Sequence, residues 1–222
     1  MAADLVTLSE LVRALLRKEN PERARAALEE SLGSVPEGEK VQLMLGVLLA
    51  TNGKLDQAIE RLEEGVRLFP AAPLLLFMLG GLLLQSRQQE RAAEMLGRAL
   101  QLDPANSVAA VELTAALFAM KRWPEAVQAG ERALRLGVNN DAHWAAMAHA
   151  YAETGQRDQA FAALRRALEL SPNSVDLHVA MARHSMAAGR TGDALAALRF
   201  VADHAENPAL AAQARQLLAT HI

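Results

Sequence analysis

The chain has 222 residues, of which 51% are apolar and only 4% aromatic, with a formal net charge of −3 and no cysteine. The missing cysteine excludes disulfides, thiolate metal sites and a cysteine nucleophile, and the mixed charge without a basic cluster offers nothing to a phosphate backbone or an acidic membrane. A core poor in aromatics must be built from Ala and Leu, which favours closely packed helices over a sandwich or barrel, so the expected class is all-α.

In chain order, the start MAADLVTLSELVRALLRK carries Asp4 and Glu10 where a secretory leader needs a basic start and an unbroken apolar core. It reads as mature sequence, with a cytoplasmic address expected. Arg13, Arg17 and Lys18 crowd this first helix, and Pro21 stands near the start of the second. Asn52-Gly53, Gly155 and Gly189 mark breaks between helices. Leu68–Ser86 is uncharged, but Pro70 and Pro73 interrupt it. What remains is about a dozen helical residues, or ~18 Å against a ~30 Å bilayer core, so no membrane span is expected. Pro124 sits at another helix start, and in LRLGVNND Gly137 and the Asn139-Asn140 pair suit a left-handed stop. After Pro208, the run ALAAQARQLLATHI puts Leu210, Ala214, Leu217 and Leu218 at helical spacing, and residues 209–222 read as a capping helix.

These elements recur with one step of 34 residues, the distance from Ser107 to Asp141 and from Asp141 to Val175. The units are 5–38, 39–72, 73–106, 107–140, 141–174 and 175–208, with no insertion between them. The twentieth position is Ala24, Ala58, Ala92, Ala126, Ala160 and Ala194. Invariant Ala implies a close helix crossing that a larger side chain would force apart. The eighth position is small in Gly46, Gly80, Thr114, Ala148 and Ala182, with Val12 the exception, and is expected at the contact between first helices. The seventh (Leu11, Leu45, Leu79, Leu113, Met147, Met181) and the twenty-fourth (Leu28, Leu62, Leu96, Gly130, Leu164, Leu198) supply larger knobs. Pro36, Pro70, Pro104 and Pro172 end units, while Val138 and Glu206 replace proline.

The unit Asp141–Pro172 carries Trp144, Tyr151, Gly155, Ala160, Leu164, Ala167 and Pro172 at fixed offsets. It resembles the tetratricopeptide repeat, an antiparallel helix pair of about 34 residues. The resemblance implies a right-handed α-solenoid whose first helices line a concave groove that holds peptides or partner helices. It places on that groove Leu43, Met44, Val47, Ala50, Leu74, Phe77, Met78, Gly81, Leu84, Val108, Val111, Ala115 and Phe118, with His149 the distinctive residue of the fifth unit. An apolar central channel is therefore expected, with polar mouths at Glu10, Arg13 and Arg17 and at His149, Glu153, Asp176 and Arg183. The implied function is a non-enzymatic protein–protein scaffold or chaperone-like adaptor for an apolar or amphipathic helix of another protein. Two alternatives stand beside it: the same residues fill space between first helices, or the surface pairs with a second copy in a homo-oligomer. The Lys/Asn/Arg clamp by which some family members hold acidic chaperone tails is incomplete, because Lys40 is isolated and the Asn positions are apolar.

Chemistry finds little support. His143/His149 and His178/His184 are each six residues apart, off the i, i+3 or i, i+4 spacing of ligands on one helix face. A metal or catalytic site built from His149, Glu153, Arg183 and His184 is the enzyme-class alternative, and no cofactor or metal is implied. No glycine-rich phosphate loop or Gly-x-Ser-x-Gly occurs, and pairs such as Arg165 with Glu169 read as a solvated face.

Overall fold

In a computed structural model, residues 35–220 are described, together with Glu10–Val12, Ala14, Ala26, Ala27 and Glu30, all seven of which are helical. Arg13, Arg17, Pro21, Ala24, Leu28 and residues 221–222, for which the sequence carries expectations, lie outside the described residues. Eleven helices follow: α1 (Glu37–Thr51), α2 (Leu55–Leu68), α3 (Pro73–Gln85), α4 (Gln89–Leu102), α5 (Ser107–Ala119), α6 (Trp123–Arg135), α7 (Asp141–Glu153), α8 (Arg157–Leu170), α9 (Val175–Ala187), α10 (Thr191–His204) and α11 (Pro208–Thr220). The chain divides into two compact bodies, Met1–Val138 and Asn139–Ile222. Their boundary falls where Val138 replaces the proline that ends most other units.

In the first body each odd helix packs on the even helix that follows it, α2 packs on α3 and α4 on α5. The sequence divides the labour between them. α3, PLLLFMLGGLLLQ, has no charge and is buried from Leu74 to Gly80, whereas α2 buries only the stripe Ala58, Ile59, Leu62, Gly65 and Val66 and turns its charges outward. α3 has 13 residues, roughly 20 Å at 1.5 Å each. Among the described residues, no helix is long and apolar enough to cross a membrane.

Close approach explains the small positions, but between different partners than the sequence suggests. A Cβ on Gly46 would stand 2.8 Å from Leu62 Cδ2, and one on Gly80 would stand 2.6 Å from Leu96 Cγ. The eighth position thus faces the twenty-fourth position of the second helix in its own unit, rather than another first helix. The fourth unit exchanges the two sizes: Thr114 takes the eighth position, its hydroxyl donating to the Ala110 carbonyl at 2.8 Å, and buried Gly130 takes the twenty-fourth. Ala58, Ala92, Ala126, Ala160 and Ala194 are all buried. Of the seventh-position knobs, Leu79, Met147 and Met181 are buried but Leu45 is 36% exposed.

The turn inside each described unit uses a left-handed residue at the fifteenth position: Gly53, Gly155 and Gly189 with φ of 76°, 77° and 69°, and Arg87 and Lys121 with 60° and 56°. Arg87 and Lys121 bear the steric penalty that glycine avoids. Entry into the next unit is capped by side chains, with Asn106 accepting from Ala109 N at 3.0 Å, Asn140 from His143 N at 2.8 Å and Ser174 from Leu177 N at 3.4 Å. This corrects the expected double-asparagine stop. Gly137 turns left-handed at φ 90°, while Asn140, at φ −129°, starts α7, and Asn139 Oδ1 accepts from Trp144 Nε1 at 2.9 Å.

In the second body α7 packs on α8, α8 on α9, α9 on α10 and α10 on α11. Arg190 lies 4.1 Å over the Phe161 ring and donates to Asp158 Oδ1 at 3.2 Å, and Arg215 donates to the Ala202 carbonyl at 2.9 Å.

Candidate functional site: the expected groove and an apolar cavity

The residues expected to line an apolar channel divide into two sets. Leu43, Val47, Leu74, Phe77, Met78 and Val108 are between 0% and 4% exposed, so the chain itself covers them. They belong to one cluster that also contains Val12 and against which Leu11 and Ala14 pack. For these six, the burial favours a place in the core over an open channel. Nearly uniform apolarity in α3 reflects a helix enclosed by other parts of the first body, which is the space-filling alternative. Met44, Ala50, Gly81, Leu84, Val111 and Phe118 are half-buried, and Ala115 is exposed. Phe118 meets Trp123 edge to face at 5.0 Å.

A separate apolar stripe is exposed on α1, where Val41, Leu45 and Leu48 are 50%, 36% and 40% exposed. At i, i+4 and i+7 they share one helix face.

In the second body His149 is half-buried on α7. Partial burial pushes the His184 imidazolium down in pKa, and Arg183 and His149 push the same way against Glu153. His178 is turned elsewhere, stacked on Phe200 at 3.8 Å with Nε2 2.9 Å from the Pro172 carbonyl oxygen. Among the described residues, no group of three or more His, Cys, Asp or Glu is placed to hold a metal ion.

An apolar cavity of about 340 Å³ lies in this body between α9, α10 and α11. Val179, Ala182 and Met186 of α9 form one wall, Leu198 and Val201 of α10 the floor, and Leu210, Ala214 and Leu217 of α11 the other wall, with Arg183 and Gln213 completing the lining. Met186 is 39% exposed. The cavity exists because α11 closes over the sixth unit with small Ala211 and Ala214 buried, leaving Leu210 and Leu217 only half-buried. Sequence reasoning named Arg183 as a mouth residue but assigned Leu210 and Leu217 wholly to a cap. The repeat register held the missing signal, since Val179 and Met186 of the sixth unit occupy the fifth and twelfth positions, those of the groove-set residues Leu43 and Ala50 in the second unit.

Tetratricopeptide repeat models match residues 9–73 and 43–107, 83–150 and 141–184. The solved structure of YrrB, described as a TPR protein with an unusual peptide-binding site, superposes with a TM-score of 0.74 at 18% identity, over 85% of this chain and 97% of that one. MamA from Desulfovibrio magneticus RS-1 (residues 41 to the end) gives 0.67 at 18% identity over 83% and 97%, and MamA AMB-1 gives 0.68 at 22% over 76% and 99%. At these identities the likeness is one of fold. No curated protein sequence matches the chain. With repeat models matching most of the sequence and helix pairs stacked in the α-solenoid manner, the chain belongs to the tetratricopeptide repeat family.

Proposed function

We propose that the protein is a non-enzymatic interaction scaffold that holds an apolar or amphipathic segment of a partner protein, with the cavity between α9, α10 and α11 as its anchor. The observation that carries this reading is an apolar-walled space of about 340 Å³ opening beside the exposed Met186. That volume, at the small end of ligand pockets, suits one or two aliphatic side chains. Burying one leucine there contributes about 1.5–3 kcal/mol before ordering costs, so useful affinity needs further contacts along the partner segment. His149, half-buried on α7, is the member of the groove set that this body offers for such contacts. Peptide binding by the similarly folded YrrB supports the class of ligand, though not its sequence. An adaptor or chaperone-like role fits the same surface.

The test is fluorescence anisotropy with short leucine-containing peptides. Met186→Glu is expected to abolish binding while the helical circular dichroism stays unchanged. Undiminished binding by Met186→Glu would overturn the assignment. A second reading, self-association, is favoured by the stripe Val41, Leu45 and Leu48 on α1. It requires a mass that rises with concentration in light scattering and returns to monomer in Leu45→Glu.

A further inference from the structure

Arg183 lies on the cavity's rim, one helical turn from both Val179 and Met186, so all three share one face of α9. Its side chain is exposed, and among the described residues it forms no ion pair. Arg190 and Arg215 are engaged, Arg190 on Asp158 and Phe161 and Arg215 on the Ala202 carbonyl, whereas neither Arg183 nor Arg199 is so held, and of these two only Arg183 lines the cavity. A guanidinium outside any ion pair beside an apolar opening is a two-part recognition element. The aliphatic pocket takes a side chain, and a planar fork of N–H donors accommodates a carboxylate next to it.

We propose that the cavity selects a partner segment in which an apolar residue stands directly beside a carboxylate, the side chain entering between α9 and α11 and the carboxylate pairing with Arg183. The inference rests on the scaffold reading above and adds the charge of the ligand. Three features converge on it. The lining contains Arg183 and Gln213 as its polar members and no acidic group. Arg183 also acts on its neighbour His184, where it helps to lower the imidazole pKa against the opposing pull of Glu153. The stem of Arg183 also extends the apolar wall, so its head group and the pocket are reached by adjacent residues of one ligand. A segment with a basic residue in that place would meet Arg183 with like charge and be rejected.

The experiment uses the full chain and three fluorescein-labelled peptides, Ser-Ala-Leu-Asp-Ala-Ser and its versions with Asn or Lys in place of Asp. At low ionic strength the Asp peptide is expected to bind about 3- to 10-fold more tightly than the Asn peptide, and the Lys peptide more weakly than both. Arg183→Gln should erase the difference between Asp and Asn, so that the two peptides bind this variant equally, and added salt should shrink the difference in the wild type. Equal binding of all three peptides, or a preference for Asp that survives Arg183→Gln, would overturn the charge assignment and leave the apolar cavity standing. If none of the three binds, the cavity reading and this inference fall together.

Discussion

A methyl group on Gly80 would stand 2.6 Å from Cγ of Leu96, inside the distance real Cβ atoms keep, so the first and second helices of this unit meet at a point that admits only glycine. Cγ is the branch point of Leu96, which is fully buried, and cannot swing away as a flexible chain end would. Overpacking of this kind costs about 1–3 kcal/mol, against a gain of about 1 kcal/mol from alanine's helix propensity. Gly80→Ala is therefore expected to lower stability by up to about 2 kcal/mol. Gly97, on α4, faces open space, and Gly97→Ala should raise stability by up to about 1 kcal/mol. Urea midpoints of the two variants must move in opposite directions.

The left-handed turns give a second test. A Cβ on Gly155 would meet nothing within 4 Å, so the cost of Gly155→Ala is purely that of holding a non-glycine residue at φ 77°. That cost is about 1 kcal/mol or somewhat more. Lys121 already bears it at φ 56°, and Lys121→Gly should recover up to about 1 kcal/mol, less the added freedom of glycine in the unfolded chain. Thermal unfolding must show Gly155→Ala melting below the wild type and Lys121→Gly at or above it.

These positions also mark what was legible in the sequence. Invariant Ala58 to Ala194, together with the glycines, gave the register and with it the helix pairs. A break between helices at Gly53, Gly155 and Gly189 was visible because glycine signals it, whereas Arg87 and Lys121 adopt the same left-handed backbone without that signal. The partner of Gly80 was misplaced because a small residue announces a close contact but not the direction it comes from. The groove was only partly legible for a related reason. Family register says which way Phe77 and Met78 point, but whether they reach solvent depends on distant segments packed over them, and residue type alone cannot distinguish a greasy binding face from a core.

A pH dependence follows from the bond between Ser171 and Asp141, which ties the end of α8 to the start of α7 with Oγ donating to Oδ2 at 2.6 Å. That hydroxyl, helped by the Ala142 N–H, holds the Asp141 carboxyl below its ordinary pKa. A depressed folded-state value contributes stability that is present above the unfolded value of about 3.9 and disappears as pH falls through the folded one. Asp141→Asn should therefore be less stable than the wild type at neutral pH, and the gap should close in acid, below the usual aspartate range. Ser171→Ala should return the Asp141 pKa upward in carboxyl-carbon NMR. No change in that titration would remove the bond as its cause.

Phe77 decides between a binding face and a core in the first body. At 1% exposure it belongs with the largest fully buried side chains, beside Leu75, Leu76 and Met78. Truncation at such a site costs about 3–5 kcal/mol, and a buried unpaired carboxylate costs more still. Phe77→Ala should therefore shift the unfolding midpoint strongly, and Phe77→Glu should fail to form a stable first body. A free binding residue would behave otherwise, leaving stability within about 0.5 kcal/mol of the wild type. Ala115 provides the internal comparison. The register assigns it to the same groove face, yet it is exposed, so Ala115→Glu should fold as the wild type does. If Phe77→Glu instead keeps the wild-type melting temperature, Phe77 is open to solvent in solution, and the central channel must be restored as a docking surface.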